Sequence, residues 1–293
     1  MGNYPAGQVN INVADFLKNP SRVERVVRDL TKDKTIADYA FGQGDAKDGA
    51  VIYDEVIGEA EQADRDVEVI APGANFPEFG VLDEEQKMAK VDKYGGQSFL
   101  TFEAVRRNDV DTLNKRLQIV KNLIIKRVNK VSVNALVNNQ NINRITTADT
   151  WDAVGYDALA DIFLGKARID DAEMGYTADL VLANPNDVQK YLLGNKSIRE
   201  QLPRESKDLN PVLSGDLDGL CGVEWIKSSS VPAGKLYIVN KGISGSVRDE
   251  EGGVKTNVYD ENKNQRTYIQ GWRSIVPIIT DPLSVVELTG FAA

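Results

Sequence analysis

The sequence predicts an α+β protein, in which one very long helix is combined with strands that are concentrated toward the carboxyl terminus. Apolar residues recur every three or four positions over 110–135, which is the spacing of one continuous helical face. Residues 266–291 are rich in β-branched and aromatic side chains, as strands are. Between them, the apolar run 178–183 leads into Asn184-Pro185, a typical start for a helix that follows a buried strand.

The composition indicates a globular chain that lacks the residues of several catalytic chemistries. Its 293 residues, 42% of them hydrophobic, suffice for one large domain or two modest ones. The absence of histidine excludes Ser-His-Asp and Cys-His catalysis and the usual histidine-containing zinc sites. Cys221 is the only cysteine, so an intrachain disulfide is excluded as well.

The overall charge and hydropathy narrow the classes of partner. The net charge of −9 argues against a dedicated nucleic-acid binder, which normally carries a basic face. No apolar run approaches the roughly 18–20 residues that a membrane span requires, and the amino terminus shows no signal-peptide pattern. We therefore expect no membrane partner and a cytoplasmic location where the chain is made.

The amino-terminal region predicts an arm followed by a short helix. The first 20 residues are rich in Gly, Asn and Pro, which favours an extended arm. Ser21 and Glu24 match the capping box S-x-x-E, and apolar residues in 23–30 share one helical face. The sequence GQGDAKDG at 42–49 predicts a loop.

The next segment predicts an extended excursion and then the long helix. Residues 50–58 and 66–72 are β-rich runs around a polar middle, which indicates a hairpin-like excursion, and 97–105 predicts a further strand. With Asn108 as its N-cap, the helix is predicted over 109–138, a length of roughly 45 Å at 1.5 Å per residue. Since an average helix has about 11–12 residues, this one is exceptionally long.

The second half of the chain predicts a mixture of shorter elements. The polar tract 138–150 is interpreted as a domain boundary. The remaining predictions, in chain order, are a helix within 150–165, a helix from Pro185 to Leu193 with Gly194 as its C-cap, strands at 222–226 and 235–239, a hairpin turn at 250–253, and an edge or bulge at Pro277.

Charge is concentrated in two segments of opposite sign. Residues 54–85 have a net charge of −10, and residues 106–130 have a net charge of +6. The acidic residues of the first segment are Asp54, Glu55, Glu59, Glu61, Asp64, Asp66, Glu68, Glu78, Asp83, Glu84 and Glu85. The basic residues of the second segment are Arg106, Arg107, Lys115, Arg116, Lys121, Lys126, Arg127 and Lys130. We predict that these two sets form contacts between subunits.

The charge pattern by itself is compatible with two arrangements. A two-stranded hairpin is marginally stable alone, and one with ten net negative charges also repels itself, so it needs a surface to lie on. If the excursion projects from its own body, the basic helix that receives it belongs to another copy of the chain. In the alternative, both segments are solvated faces of one monomer.

The order of these parts resembles the major capsid proteins of tailed double-stranded DNA bacteriophages, which share the Hong Kong 97-like fold. The strand and long helix of 97–137, the strand-to-helix step of 178–192, and the G-x-x-x-G, strand, Val-Pro-x-Gly, strand pattern of 215–242 carry the resemblance. It implies the following division: an N-terminal arm and short helix (1–40), a strand and extended loop called the E-loop (41–96), a peripheral domain with a spine helix (97–144), an axial domain (145–265), and C-terminal strands that return to the peripheral domain (266–293).

The resemblance also implies what such a chain does. A protein of this kind assembles with itself into hexamers and pentamers of an icosahedral head, which encloses double-stranded DNA without sequence-specific binding. It is not an enzyme and needs no cofactor or metal. Because no scaffold-like helical segment precedes the arm, we expect a separate scaffolding protein. We also expect a portal protein and, optionally, a decoration protein as partners. The expected location is the virion, after synthesis in the host cytoplasm.

Two other functions stay open at this point. An encapsulin shell protein has the same fold but encloses enzymes. A carboxylate-based hydrolase belongs to a different class and would need a pair of carboxyl groups, for which Asp170, Asp171 and Glu173 are the available cluster.

Overall fold

A computed structural model describes residues 12–31, 35–56, 69–70, 72, 85–153, 155–172, 174–194, 217 and 219–292. Its helices are α1 (Val13–Leu17), α2 (Pro20–Thr31), α3 (Ile36–Ala40), α4 (Phe102–Arg106), α5 (Val110–Asn138), α6 (Ala158–Asp170) and α7 (Pro185–Asp187), which continues as a π-helical turn (Val188–Leu192). Short 3₁₀ turns occur at Leu220–Gly222, Asn262–Asn264 and Pro282–Ser284.

The strands form two five-stranded sheets and a separate two-stranded hairpin. They are β1 (Gly42–Asp45), β2 (Ala50–Glu55), β3 (Glu85–Lys90), β4 (Asp92–Thr101), β5 (Asn143–Thr146), β6 (Leu180–Ala183), β7 (Glu224–Lys227), β8 (Lys235–Val239), β9 (Gly245–Asp249), β10 (Lys255–Glu261), β11 (Arg266–Ile279) and β12 (Val285–Thr289). Helices and strands are thus mixed as the sequence predicts.

The first sheet is organised around β11, which has 14 residues. On one edge β11 pairs with β4, and on the other edge it pairs first with β10 and then with β9. β1 joins the outer side of β9 in parallel. Pro277 lies beyond the last residue of β11 that pairs with β4, so its missing N–H interrupts no ladder there, as the prediction of an edge position requires.

Helix α5 lies on this sheet through the predicted apolar stripe. Leu113, Leu117, Val120, Ile124 and Val128 are all buried against the sheet and the amino-terminal helices. Toward the end of the helix the buried face rotates to Ser132, Val133 and Leu136, while the predicted positions Val131 and Ala135 are only half-buried. The predicted span is therefore confirmed, and the stripe drifts because 3.6 residues per turn do not match a strict 3–4 repeat.

A glycine allows the helix to approach the sheet closely. A Cβ atom at Gly271 of β11 would lie only 2.6 Å from Val120 Cγ1 and 3.2 Å from Ile124 Cδ1. Its partner across the strands is Gly96 of β4, where a Cβ would meet Leu123 Cδ1 at an ordinary 3.6 Å. Of these two glycines, Gly271 is the one whose missing side chain allows the close approach of the helix.

The second sheet has the order β5-β12-β8-β6-β7 and is buried on both faces. Leu182 and Val239 face the core beneath the first sheet, and Val181 and Ile238 face the core under α6. Glu287 of β12 is buried among these strands and accepts hydrogen bonds from Lys235 Nζ (2.8 Å) and Tyr237 Oη (2.9 Å). Burial, and then this bond to Glu287, raise the pKa of Tyr237 well above its usual value.

A buried arginine ties the amino-terminal helices to the first sheet. Arg273 of β11 bonds Asp249 of β9 through Nε and Nη2 at 2.8 and 2.7 Å, and Asp38 of α3 through Nη2 at 2.6 Å. Burial alone would lower the pKa of Arg273, but the hydrogen bonds to Asp249 and Asp38 raise it, so the guanidinium stays charged. Helix α3 and strand β9, which are far apart in sequence, are thereby held together by one cation.

Two predicted helix N-caps were wrong, and the predicted C-cap Gly194 is replaced by Leu193. Helix α2 begins at Pro20, one residue before Ser21, and the Asn19 side chain accepts a hydrogen bond from Arg22 N at 3.3 Å, so Ser21 and Glu24 form no capping box. Helix α5 is capped by Asp109, whose carboxylate accepts from Thr112 N at 2.9 Å. Asn108 instead accepts from Val13 N at 2.7 Å, and its left-handed backbone (φ 54°) separates α4 from α5.

Several strand predictions also need correction. The strand predicted over 97–105 ends at Thr101, because the Thr101 hydroxyl accepts from Ala104 N and starts helix α4. The predicted loop 42–49 begins with strand β1, which pairs with β9. Residues 250–253 do not turn a hairpin: β9 and β10 lie one after the other on the same edge of β11 and do not pair with each other.

The predictions for the second half are mostly confirmed with shifted boundaries. The helix expected within 150–165 begins only at Ala158, after Asp157 as its cap, and runs to Asp170. The strand-to-helix step is as predicted, with the Asn184 side chain accepting from Asn186 N at 3.0 Å, although the helix becomes a π-helical turn after Asp187.

The sheet pairings cut across the predicted domain division, which stays a prediction. β9 and β10, assigned to the axial region, pair with β11 in the first sheet. β12, assigned to the strands that return to the peripheral domain, pairs instead with β5 and β8 in the second sheet. The chain therefore crosses between the two sheets more often than a division into contiguous segments implies.

Replacing Gly271 with alanine should destabilise the protein by about 1–3 kcal/mol, because the added methyl group overpacks against Val120. Urea unfolding of the two proteins measures this difference. The control is Gly96→Ala, directly across the strands, where the added Cβ would make an ordinary 3.6 Å contact with Leu123 Cδ1 and the change should be within about 0.5 kcal/mol of neutral or stabilising. Equal effects of both changes would contradict this account of the helix contact.

Candidate assembly surfaces

Most of the predicted acidic contact set lies outside the described residues. These positions are Glu59, Glu61, Asp64, Asp66, Glu68, Glu78, Asp83 and Glu84. For Glu85, the structure describes the backbone in strand β3 but not the side chain. Their contact with a neighbouring subunit stays a prediction. The structure describes the stem from which this segment leaves and to which it returns.

The stem is the antiparallel pair β2–β3, whose two faces differ in environment. On one face, Val51, Tyr53 and Ala89 pack against the cluster that contains Val276 and Ile278 of the first sheet and its neighbours. On the other face, the cross-strand pair Ile52 and Met88 is largely exposed.

Glu55 fastens the stem to the end of the long helix. Its side chain is fully buried, pairs with Lys87 Nζ across the hairpin, and accepts a hydrogen bond from Asn139 Nδ2, the residue after α5, at 2.6 Å. The next residue, Val56, donates its N–H to the Thr280 carbonyl at 2.9 Å. Glu55 was predicted to contact a neighbour, but its carboxylate is used inside its own chain; Asp54, beside it, is exposed.

The basic set does not lie on a single helix. Arg106 is the last residue of α4, where it faces Glu103 at 3.7 Å, and Arg107 follows it before the left-handed residue Asn108. The other six basic residues, Lys115, Arg116, Lys121, Lys126, Arg127 and Lys130, are on α5 as predicted.

Two arginines of α5 lie over aromatic rings of β4. The Arg116 guanidinium is 5.1 Å from the ring centre of Phe99, and that of Arg127 is 4.8 Å from the ring centre of Tyr94. Such cation–π contacts orient the cations along the edge of the sheet. The Tyr94 pKa is raised by burial and by its hydrogen bond to Asp92.

The lysines of α5 are more available to another molecule. Lys115, Lys126 and Lys130 are exposed. Lys121 is half-buried, and its Nζ donates a hydrogen bond to Gln118 Oε1 at 2.9 Å. Sequence reasoning also missed the exposed apolar residues Ile119 and Leu123 on the same helix. They could have been found from the sequence, because two apolar residues four positions apart lie on one face of a helix, here beside the main stripe.

The described residues of the carboxylate cluster considered for a hydrolase lie on the surface at the end of α6. Asp170 is exposed at the end of α6, Asp171 is exposed directly after it, and Glu173 is outside the described residues. Within the described ranges, no three Cys, Asp or Glu side chains are grouped so that they could hold a metal ion. Burial raises the pKa of the Cys221 thiol to about 11, so this half-buried thiol is protonated at neutral pH.

The fold is that of the Hong Kong 97-like capsid proteins, which are structural shell proteins. The sequence model of the family described as phage capsid protein matches residues 84–288, and the chain belongs to this family.

Solved structures with the same fold cover most of the chain. A virus-like particle from Pyrococcus furiosus has a TM-score of 0.61 at 12% identity, with 92% of this chain and 98% of that chain covered. The capsid of the cyanophage P-SCSP1u has a TM-score of 0.58 at 12% identity (87% and 86% covered). The SrpI encapsulin of Synechococcus elongatus PCC 7942 has a TM-score of 0.59 at 13% identity (86% and 85% covered).

A comparison with curated protein sequences gave no match. Among the helices of the described residues, none combines the length and the apolar character that crossing a membrane demands.

Replacing Glu55 with glutamine should lower the free energy of unfolding by about 1–3 kcal/mol, because the buried carboxylate that pairs with Lys87 becomes a neutral amide. The value is set below that of a fully buried pair because water reaches part of the Lys87 side chain. Urea unfolding measures it, with Asp54→Asn as the exposed control in the same strand. Wild-type stability of the Glu55 variant would show that this carboxylate does not anchor the stem.

Proposed function

We propose that this capsid protein builds the pentamers and hexamers of a phage head that encloses double-stranded DNA. The observation that carries the proposal is the family match over residues 84–288, together with a capsid fold that spans the chain. In this proposal the axial regions surround the ring centres, and the peripheral regions meet between rings. The protein acts by assembly and not by catalysis, which agrees with the structural role of its family.

The proposed link between rings is the acidic segment of one copy on the basic helix of another. Three features support it: the stem is fixed at its base by Glu55, the segment beyond the stem carries most of the negative charge, and Lys115, Lys126 and Lys130 on α5 are exposed. Exposed ion pairs each contribute only about 0–1 kcal/mol. Their main effect in this contact is therefore to guide the subunits and to set their register.

Further parts of the proposal concern regions and partners. The segment 1–40 serves as an arm that reaches across a subunit boundary, and a separate scaffolding protein, a portal and optionally a decoration protein complete the particle. The protein is made in the host cytoplasm and ends in the virion. Its net charge of −9 suits a container that encloses DNA without binding it tightly.

An encapsulin shell is the second candidate, because the Synechococcus encapsulin has the same fold over 86% of this chain. The contents of the particle distinguish the two functions. Particles isolated from the native source should contain nuclease-resistant double-stranded DNA if the chain forms a phage head, and an enzyme cargo without packaged DNA if it forms an encapsulin.

Reversing Lys121, Arg127 and Lys130 to glutamate should abolish closed particles, because the acidic segment of a neighbour would then face like charge. Electron microscopy and light scattering of the purified proteins measure this result. Moderate salt should also slow assembly of the wild type, since exposed charges are screened at about 8–10 Å.

The control is a charge exchange between the two surfaces. Combining the triple reversal with Glu59, Glu61 and Asp64 changed to lysine should restore part of the assembly rate, whereas the acidic changes alone should impair it. Thermal unfolding of each variant checks that the loss of the Arg127–Tyr94 contact has not unfolded the chain. Normal assembly of the folded triple variant would refute docking of the loop on the helix.

A further inference from the structure

Helix α6 is apolar on two opposite sides. Ala158, Ile162, Gly165 and Ile169 are buried, and a Cβ at Gly165 would lie 2.4 Å from Ile238 Cδ1, so this side is pressed closely onto the second sheet. A helix that only covers a sheet normally presents charged and polar side chains on its other side.

The outward side of α6 carries a second apolar stripe. Ala160, Phe163, Leu164 and Ala167 have the spacing i, i+3, i+4, i+7, and all four are exposed. Phe163 and Leu164 keep 54% and 55% of their surface uncovered. A stripe of this kind offers on the order of 300 Å² of contiguous apolar surface, which on a single chain marks an interaction site.

We infer that the α6 stripe, formed by Ala160, Phe163, Leu164 and Ala167, is the contact through which neighbouring copies join within one ring. This inference rests on the proposed function, because it names the surface that the ring requires. A different patch of the next copy receives the stripe, since contacts around a ring join unlike surfaces.

The chemistry of the stripe favours another copy over the other available partners. Its four side chains are uncharged, so they offer nothing to DNA phosphates or to the acidic segment of residues 54–85. A specific interface covers about 800 Å² on each partner, so the stripe is the apolar centre of a contact that other residues complete. Because the family builds shells from many copies, each copy has such a neighbour.

The position of α6 separates this contact from the link between rings. The helix packs on β8 and β12 of the second sheet, whereas the stem and α5 belong to the first sheet. Changes to the two surfaces should therefore stop assembly at different stages.

The test compares three proteins by native mass spectrometry and electron microscopy. The wild type should form closed particles, and the Lys121, Arg127 and Lys130 reversal should stop at free rings of five or six copies. Phe163→Gln with Leu164→Gln should stop at the monomer, with at least a tenfold rise in the concentration needed for rings. Since both changes replace exposed apolar groups by a good helix former, thermal stability should not fall.

The matched control is Asp170→Gln with Asp171→Gln, two exposed changes at the end of the same helix, which should leave ring formation unchanged. Rings formed by the Phe163 and Leu164 variant at the wild-type concentration would overturn the inference and leave the proposed function intact. A wild type that forms neither rings nor particles, even when it is produced together with its scaffolding protein, would overturn the proposed function itself.

A photo-crosslinking residue at Ala160 gives a direct readout that does not depend on a disruptive change. Irradiation of assembled wild-type-like particles should give a product with the mass of two chains. Lys166 Nζ of α6 donates a hydrogen bond to the Cys221 carbonyl at 2.7 Å, so a contact within the same chain must be distinguished from one between copies. A product that joins Ala160 only to residues 195–216 of the same chain would overturn the inference.

Discussion

Helix α5 lies directly on strand β11, and Gly271 sets how closely the two approach. Because a Cβ atom there would lie 2.6 Å from Val120 Cγ1, a side chain at this position would force the helix and the strand to shift apart. β11 in turn holds β4 on one edge and both β9 and β10 on the other. The first sheet is therefore built around the same strand on which α5 lies.

The sequence predicted the elements whose signal is local and repeated. The α5 span, the strand that ends in Asn184-Pro185 and the edge position of Pro277 were all readable, because each depends on periodicity or on the backbone chemistry of one residue. The pairing of β9 and β10 was not, since a turn sequence at 250–253 cannot reveal that both strands meet the same distant partner.

The environments of individual charged residues were also not predictable from the sequence. Asp54 and Glu55 are neighbours of identical charge type, yet one is exposed and the other is buried beside Lys87 and Asn139. Strand alternation separates their faces, but only the tertiary fold brings Asn139 to Glu55. Arg273 was detectable only as a charge within an apolar strand; its partners Asp38 and Asp249 come from distant parts of the chain.

The stem and the first sheet are parts of one nearly continuous run of chain. β3 ends at Lys90 and β4 begins at Asp92, with only Val91 between them, and Val91 is buried and donates its N–H to the Gly49 carbonyl. A displacement of the stem is therefore passed along the chain through Val91 to the strand beneath α5, in parallel with the contact of Glu55 at the carboxyl end of that helix. Both routes lead to α5, so the stem is mechanically coupled to the longest helix of the protein.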